Sequence, residues 1–172
     1  MADDMDRVRS AIRARKEIQA QEEIATNERK KENEQRAQRR GQQLAKWRHH
    51  VRPMISAAIT AVSNDAAREG SEFLIAEVVH GREAENIAFV VHESGKSTRY
   101  PAATLLFKLD SDGLVRAESA AKVQMPAPMP VDTVSQEWAR SAGITVLSHA
   151  IDPRMSIPDN DEGLVLKVRE RR

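Results

Sequence analysis

Six cations lie between Arg36 and Arg52 with no acid among them: Arg36, Arg39, Arg40, Lys46, Arg48 and Arg52, with His49 and His50 in the same stretch. Guanidinium and ammonium groups at this density attract polyanions, phosphate backbones among them. On a helical wheel Arg36, Arg39, Arg40 and Lys46 share one broad side, while Arg48 and Arg52 sit on another. A helix that docks in a duplex groove concentrates its side chains on one face and adds polar groups that read bases. Asn33, Gln42 and Gln43 are of the right type for that, but no helix-turn-helix or zinc-finger pattern surrounds them. The stretch is therefore a candidate polyanion-binding surface, and sequence-tolerant nucleic-acid binding through residues 36–52 is the alternative functional expectation. A solvated helix whose charge aids solubility competes with it.

The other chemistry-bearing residues do not assemble into a site. The five histidines (His49, His50, His80, His92, His149) are not spaced to converge on a metal. Asp110-Ser111-Asp112-Gly113 has the look of a calcium loop, but the EF-hand ligand positions that should follow are missing, so it reads as a hairpin turn. Ser94-Gly95-Lys96 lacks the upstream glycine of a phosphate-binding loop and sits between strands. Glu77 is the one charge inside an apolar strand and marks either a pocket or a sheet rim. There is no cysteine and no Gly-x-Ser-x-Gly elbow. The expectation is a protein that is not an enzyme and uses no metal or cofactor.

The elements that would position these residues follow from periodicity. Leu44, Trp47, Val51, Met54, Ile55, Ala58, Ile59 and Val62 recur at three- and four-residue spacing and predict a helix with one apolar face. Upstream, the same face becomes polar at Arg40, Arg36, Asn33 and Arg29. Residues 3–43 are rich in Glu, Gln, Lys, Arg and Ala, all good helix formers. Met5, Val8, Ala11, Ile12 and Ile18 form a short apolar stripe there, and Met5, Val8, Ile12 and Ile18 are its candidate contacts with a partner. Ile24 falls off the stripe, so a long two-stranded coiled coil is not established. Pro53 lies on the outward side of the second stripe, and the preserved phase predicts a kinked, nearly continuous helix ending near Arg68, with Gly70 at its left-handed C-terminal position.

Beyond Gly70 the pattern predicts strands at 73–79, 86–92, 97–100, 104–109 and 114–118, a meander of about five. Residues 125–130 alternate with proline and read as a stiff extended linker. Asp132 or Thr133 is expected to cap a short helix carrying Val134, Trp138 and Ala142 and ending at Gly143. Residues 144–151 then read as a strand, 152–163 as a polar loop and 164–168 as a last edge strand before Arg169-Glu170-Arg171-Arg172.

The fold class so predicted is α+β: a long N-terminal helical arm continuing into a helix packed on an antiparallel β-meander, plus one short C-terminal helix. The expected divisions are a charged arm over 1–43, with partial disorder as the alternative to helix, an α+β domain over 44–151, and a polar tail over 152–172. Aromatic residues are only 3% of the 172, so the core must be built mainly from Leu, Ile, Val and Ala. Residues 1–52 hold fourteen Lys or Arg against nine Asp or Glu, a balance of +5, and 53–172 hold thirteen against seventeen, a balance of −4; together they give the chain's net +1. The acidic start Met-Ala-Asp-Asp predicts no secretory leader, and no apolar run nears the ~18 residues that span a bilayer. A cytoplasmic protein with no membrane contact is expected. Its primary predicted function is assembly, by self-association into a homo-oligomer or by docking to a protein partner through the projecting arm.

Overall fold

A computed structural model of the chain describes residues 2–78, 85–96, 98, 101–121 and 123–153, without the side chains of 2–9 and 11. The chain is α+β, with a long N-terminal helix, a five-stranded antiparallel sheet and a shorter C-terminal helix. It divides into two compact units, Met1–Ala45 and Lys46–Arg172.

The first unit is a single helix, α1, which runs Ala2–Lys46 and enters the second unit at its last residue. No proline interrupts it, and Gly41 is its one glycine. Every described side chain from Ser10 to Arg39 is exposed. A helix with no buried face draws its stability from local propensity and from Glu–Lys and Glu–Arg neighbours a turn apart.

In the second unit the chain stays helical through Lys46, a π-helical turn at Trp47–Val51 and α2 at Arg52–Arg68. The Arg52 amide donates to the Trp47 carbonyl, the five-residue hydrogen bond of a π turn. Pro53 explains the position of this turn. Its ring crowds the carbonyl one turn back and it has no amide to offer, and widening the preceding turn accommodates both defects. The apolar stripe keeps its phase: Trp47, Val51, Ile55, Ala58, Ile59 and Val62 are all buried. Helix α2 ends as Gly70 predicts. Gly70 has φ 78° and donates to Ala67, and Ser71 donates to Ala66, which closes the last turn.

Strands β1 (Phe73–Val78), β2 (Asn86–Glu93), β3 (Ala103–Leu109), β4 (Leu114–Ser119) and β5 (Met129–Pro130) pair antiparallel in sequence order. The register places Ile75 opposite Val91, Ile87 opposite Phe107 and Leu109 opposite Val115. Odd-numbered side chains of β1–β4 therefore share one face, and α2 and α3 (Gln136–Ile151) pack against the sheet. Ile87, Phe89, Val91, Leu105, Phe107 and Val115 are fully buried on that face. Phe107 meets the edge of Phe89 at 6.0 Å between centroids and Trp138 of α3 at 5.6 Å. Each such side chain contributes roughly 1.5–3 kcal/mol by leaving water. The outer edge of β1 is blocked rather than open, because the buried Ser63 hydroxyl of α2 accepts from the Ile75 amide at 2.9 Å and Ser71 accepts from Phe73.

Several expectations are corrected. Residues 144–151 are not a strand but the second half of α3, and Gly143 is inside that helix rather than at its end. Ala139, Ala142, Gly143, Val146 and Leu147 are buried at helical spacing, and this burial overrides the β-preference of Ile144, Thr145 and Val146. A Cβ on Gly143 would sit 2.8 Å from Ile59 Cδ1, so the glycine lets α3 lie close against α2. The cap is Ser135, whose hydroxyl accepts from the Trp138 amide, and Val134 precedes the helix. Asp132 instead pairs with Lys46, and Thr133 closes a turn on Pro130. The fifth strand is Met129–Pro130, inside the segment read as a linker. It pairs with Leu114 and Val115 at a sheet edge, where a proline's missing amide costs no ladder bond. Thr98, read as part of a strand, is in a turn, and 97, 99 and 100 lie outside the described residues, as do the polar loop expected over 152–163 from its third residue on, the edge strand and the basic end. Among the described residues no helix is long and apolar enough to cross a membrane.

Candidate functional site

The predicted interaction stripe lies on α1. Ile12 and Ile18 are 51% and 57% exposed, while the side chains of Met5 and Val8 lie outside the described ones. Ile24, off the stripe, is 59% exposed. Six residues at ~100° each put Ile12 and Ile18 roughly 120° apart, so the stripe is a broad face and not the narrow seam of a coiled coil.

The predicted polyanion patch is divided between the two units, with Arg36, Arg39 and Arg40 in the first and Lys46, Arg48 and Arg52 in the second. Arg36 and Arg39 are exposed on α1, and Arg40 is half-buried. Lys46 is held in an ion pair with Asp132, 2.7 Å from Nζ to Oδ1. Arg48 is exposed and Arg52 half-buried, and these two line a cleft of about 580 Å³ in the second unit together with His49, Pro53, Ser56, Glu77 and Ile87.

The backbone explains how the cleft forms. Arg48, Arg52 and Ser56 recur every four residues down one side of the π turn and α2, and His49 and Pro53 form the adjacent column. Glu77 lies in β1 on the helix-facing side of the sheet, two residues beyond buried Ile75. It is exposed, so the rim reading of this carboxylate holds over a core one. The Ser56 hydroxyl donates to Glu77 Oε2 at 2.5 Å and fixes the carboxylate beside the cleft. Ile87, at the start of β2, is buried beneath. Arg48, Arg52 and Glu77 thus line the cleft above buried Ile87. Ser56 had no signal of its own in the sequence. Its spacing of four and eight from Arg52 and Arg48 was the available clue.

The remaining candidates are absorbed by the fold. Asp110-Ser111-Asp112-Gly113 is the hairpin turn between β3 and β4, with Gly113 at φ 81°. Burial would raise the Asp110 carboxyl, but hydrogen bonds from the Leu114 amide, the Arg116 guanidinium and the Asp112 amide, with the Arg116 charge, hold it below its usual value. Glu93-Ser94-Gly95-Lys96 closes a second turn, with Lys96 donating to Glu93 through both its amide and its Nζ. His92 faces Leu74 across the β1–β2 ladder, and among the described residues no three His, Asp or Glu groups are placed to hold a metal. His80 lies outside the described residues.

No family model, curated protein or solved structure matches this chain.

Proposed function

We propose that the protein is a non-enzymatic assembly protein whose N-terminal helix joins it to a second copy of itself, with a different protein partner as the other occupant of the same face. One observation supports this reading: α1 has 45 residues, and Ile12 and Ile18 of its apolar stripe are each more than half exposed. A helix of that length with large apolar groups in water gains stability when a partner covers them, by roughly 1.5–3 kcal/mol for each isoleucine buried. Light scattering on the eluted full chain tests the proposal. The expected mass is a multiple of the monomer, falling to the monomer in an Ile12→Glu/Ile18→Glu variant. A full chain that elutes as a monomer at every concentration, with the variant indistinguishable from it, rejects self-association.

A second reading, sequence-tolerant nucleic-acid binding, is favoured by one feature. Arg36 and Arg39 are exposed and lie about one turn apart, where like charges repel and an anionic partner relieves the repulsion. Such binding should weaken steeply with salt and disappear on charge reversal at Arg36, Arg39 and Arg40. Binding that survives that reversal removes this reading.

A further inference from the structure

We propose that the face of the sheet turned away from α2 and α3 receives α1 of a second copy, each chain laying its N-terminal helix on the other's sheet. This deepens the assembly reading and rests on it, because it names the surface that α1 meets. A strand solvated on one side alternates apolar with polar residues, whereas a strand covered on both sides is apolar throughout. Residues 74–76, 87–91 and 105–107 include no polar side chain. Helices α2 and α3 cover the odd-numbered side, where Ser56 holds Glu77 and Trp138 meets Phe107. On the other side the register aligns Ala76, Val90 and Thr104 in one row across β1–β3, and Val78, Ala88 and Leu106 in the next. All six are half-buried, while Phe89, Leu105 and Phe107 on the opposite side are fully buried. Two charges bordering this patch are matched within the chain, Lys108 Nζ standing 2.6 Å from Glu118 Oε1. The β1 edge is blocked by Ser63 and Ser71, so a partner covers the face instead of lengthening the sheet.

Charge and area identify the occupant. Ile12 and Ile18 are 51% and 57% exposed, so their own chain does not cover them. Residues 7–16, around Ile12, hold five Lys or Arg and no acid, a balance of +5. Residues 73–119, which build β1–β4, hold five Lys or Arg against seven Asp or Glu, a balance of −2. Pairing α1 with α1 through Ile12 sets like charge on like charge, and so does pairing sheet with sheet. Helix on sheet brings opposite charges together and covers both apolar surfaces at once. A helix ~10 Å across lying along ~24 Å of strand covers roughly 240 Å² of sheet, so one contact buries about 500 Å² over both partners. A stable interface needs about 1,000 Å² or more, and two reciprocal contacts related by a two-fold axis reach it where one does not. The product is therefore a closed dimer.

The chain has no cysteine, so introduced ones report single positions. Two full-length chains, one with Gln19→Cys on exposed α1 and one with Thr104→Cys on the open sheet face, are mixed and oxidised. The expected product is the disulfide between unlike chains, in excess of both like-with-like products. Adding Val90→Glu to the Thr104→Cys chain should cut its yield at least ~10-fold, because docking would bury an unpaired carboxylate. If that chain fails to melt cooperatively, Ala76→Glu in the edge strand β1 makes the same comparison. Three results overturn the proposal: a disulfide only between Gln19→Cys chains, a disulfide only between Thr104→Cys chains, or an unlike-chain yield that the added glutamate leaves unchanged. The first of these leaves the assembly reading standing, with helix paired on helix. No disulfide at all, with light scattering giving a monomer, removes both.

Discussion

Helices α1 and α2 share a backbone geometry and almost nothing else. The first spans 45 residues with every described side chain from Ser10 to Arg39 exposed, whereas the second spans 17 and buries Ile55, Ala58, Ile59, Val62 and Ser63. In α1 the favourable terms are local: propensity, neighbouring opposite charges and few breakers. In α2 they are tertiary, and a proline is tolerated because the burial of Trp47 and Val51 beside it outweighs the disrupted turn. The comparison teaches that a helical signal in sequence says little about what holds a helix. The apolar stripe, present in one and thin in the other, says much more.

The comparison breaks most directly at Trp47, which is fully buried. Trp47→Ala should destabilise the second unit by about 3–5 kcal/mol, read as a large fall in Tm. The matched change Ile12→Ala lies outside that unit, on an exposed position of α1, and should change the stability of the second unit by no more than about 0.5 kcal/mol. Equal effects would mean that α1 is held by tertiary packing after all.

Asp110 sharpens the comparison on the polar side, since its carboxylate organises a turn of the second unit through donors from three residues. Removing it in Asp110→Ala leaves those donors without their acceptor and should cost about 1–3 kcal/mol. The sign with pH follows from the lowered pKa. Its contribution is complete above the unfolded carboxylate value near pH 4 and is lost as pH falls through the lower folded value. Denaturant melts from about pH 5 downward should therefore show a shallower acid loss in Asp110→Asn than in the parent. Parallel curves would show that this carboxylate is not held low.

Gly143 probes the contact between α2 and α3, the two helices that pack against the sheet. A β-branched side chain there must displace buried Ile59, whose Cδ1 already stands 2.8 Å from the missing Cβ. Gly143→Val should cost about 1–3 kcal/mol through overpacking. Gly143→Ala should cost less, because a helix-propensity gain of about 1 kcal/mol offsets part of the clash. A stabilised valine variant would mean that α2 and α3 have room to separate.

The same residue shows where the sequence was legible and where it was not. The α2 stripe, the Gly70 stop and the Asp110–Gly113 hairpin were all readable, because each is set by residues within a few positions of one another. Gly143 was read as a helix end because glycine ends helices in general. Its actual role, close approach to Ile59, depends on a residue 84 positions away. Met129–Pro130 became a strand only because β4 offered it an edge. The cleft follows the same rule. Arg48 and Arg52 were identifiable as cations and Glu77 as an anomaly, but their meeting depends on how β1 docks beside α2. The stripe on α1 needed no tertiary information, since nothing but helical phase relates its members.

Gly41 gives the smallest effect and the cleanest separation of the two kinds of helix. A Cβ there meets nothing within 4 Å, so Gly41→Ala changes no contact. It removes the unfolded-state freedom of glycine and should strengthen α1 locally by up to about 1 kcal/mol. Amide exchange around residue 41 should slow by up to about fivefold, while the Tm of the second unit stays where it was. The two readouts separate because α1 gains from local propensity and the second unit from burial. If the Tm rises in step with the exchange protection, the helix and the sheet domain unfold as one cooperative body, and the contrast between α1 and α2 is one of degree.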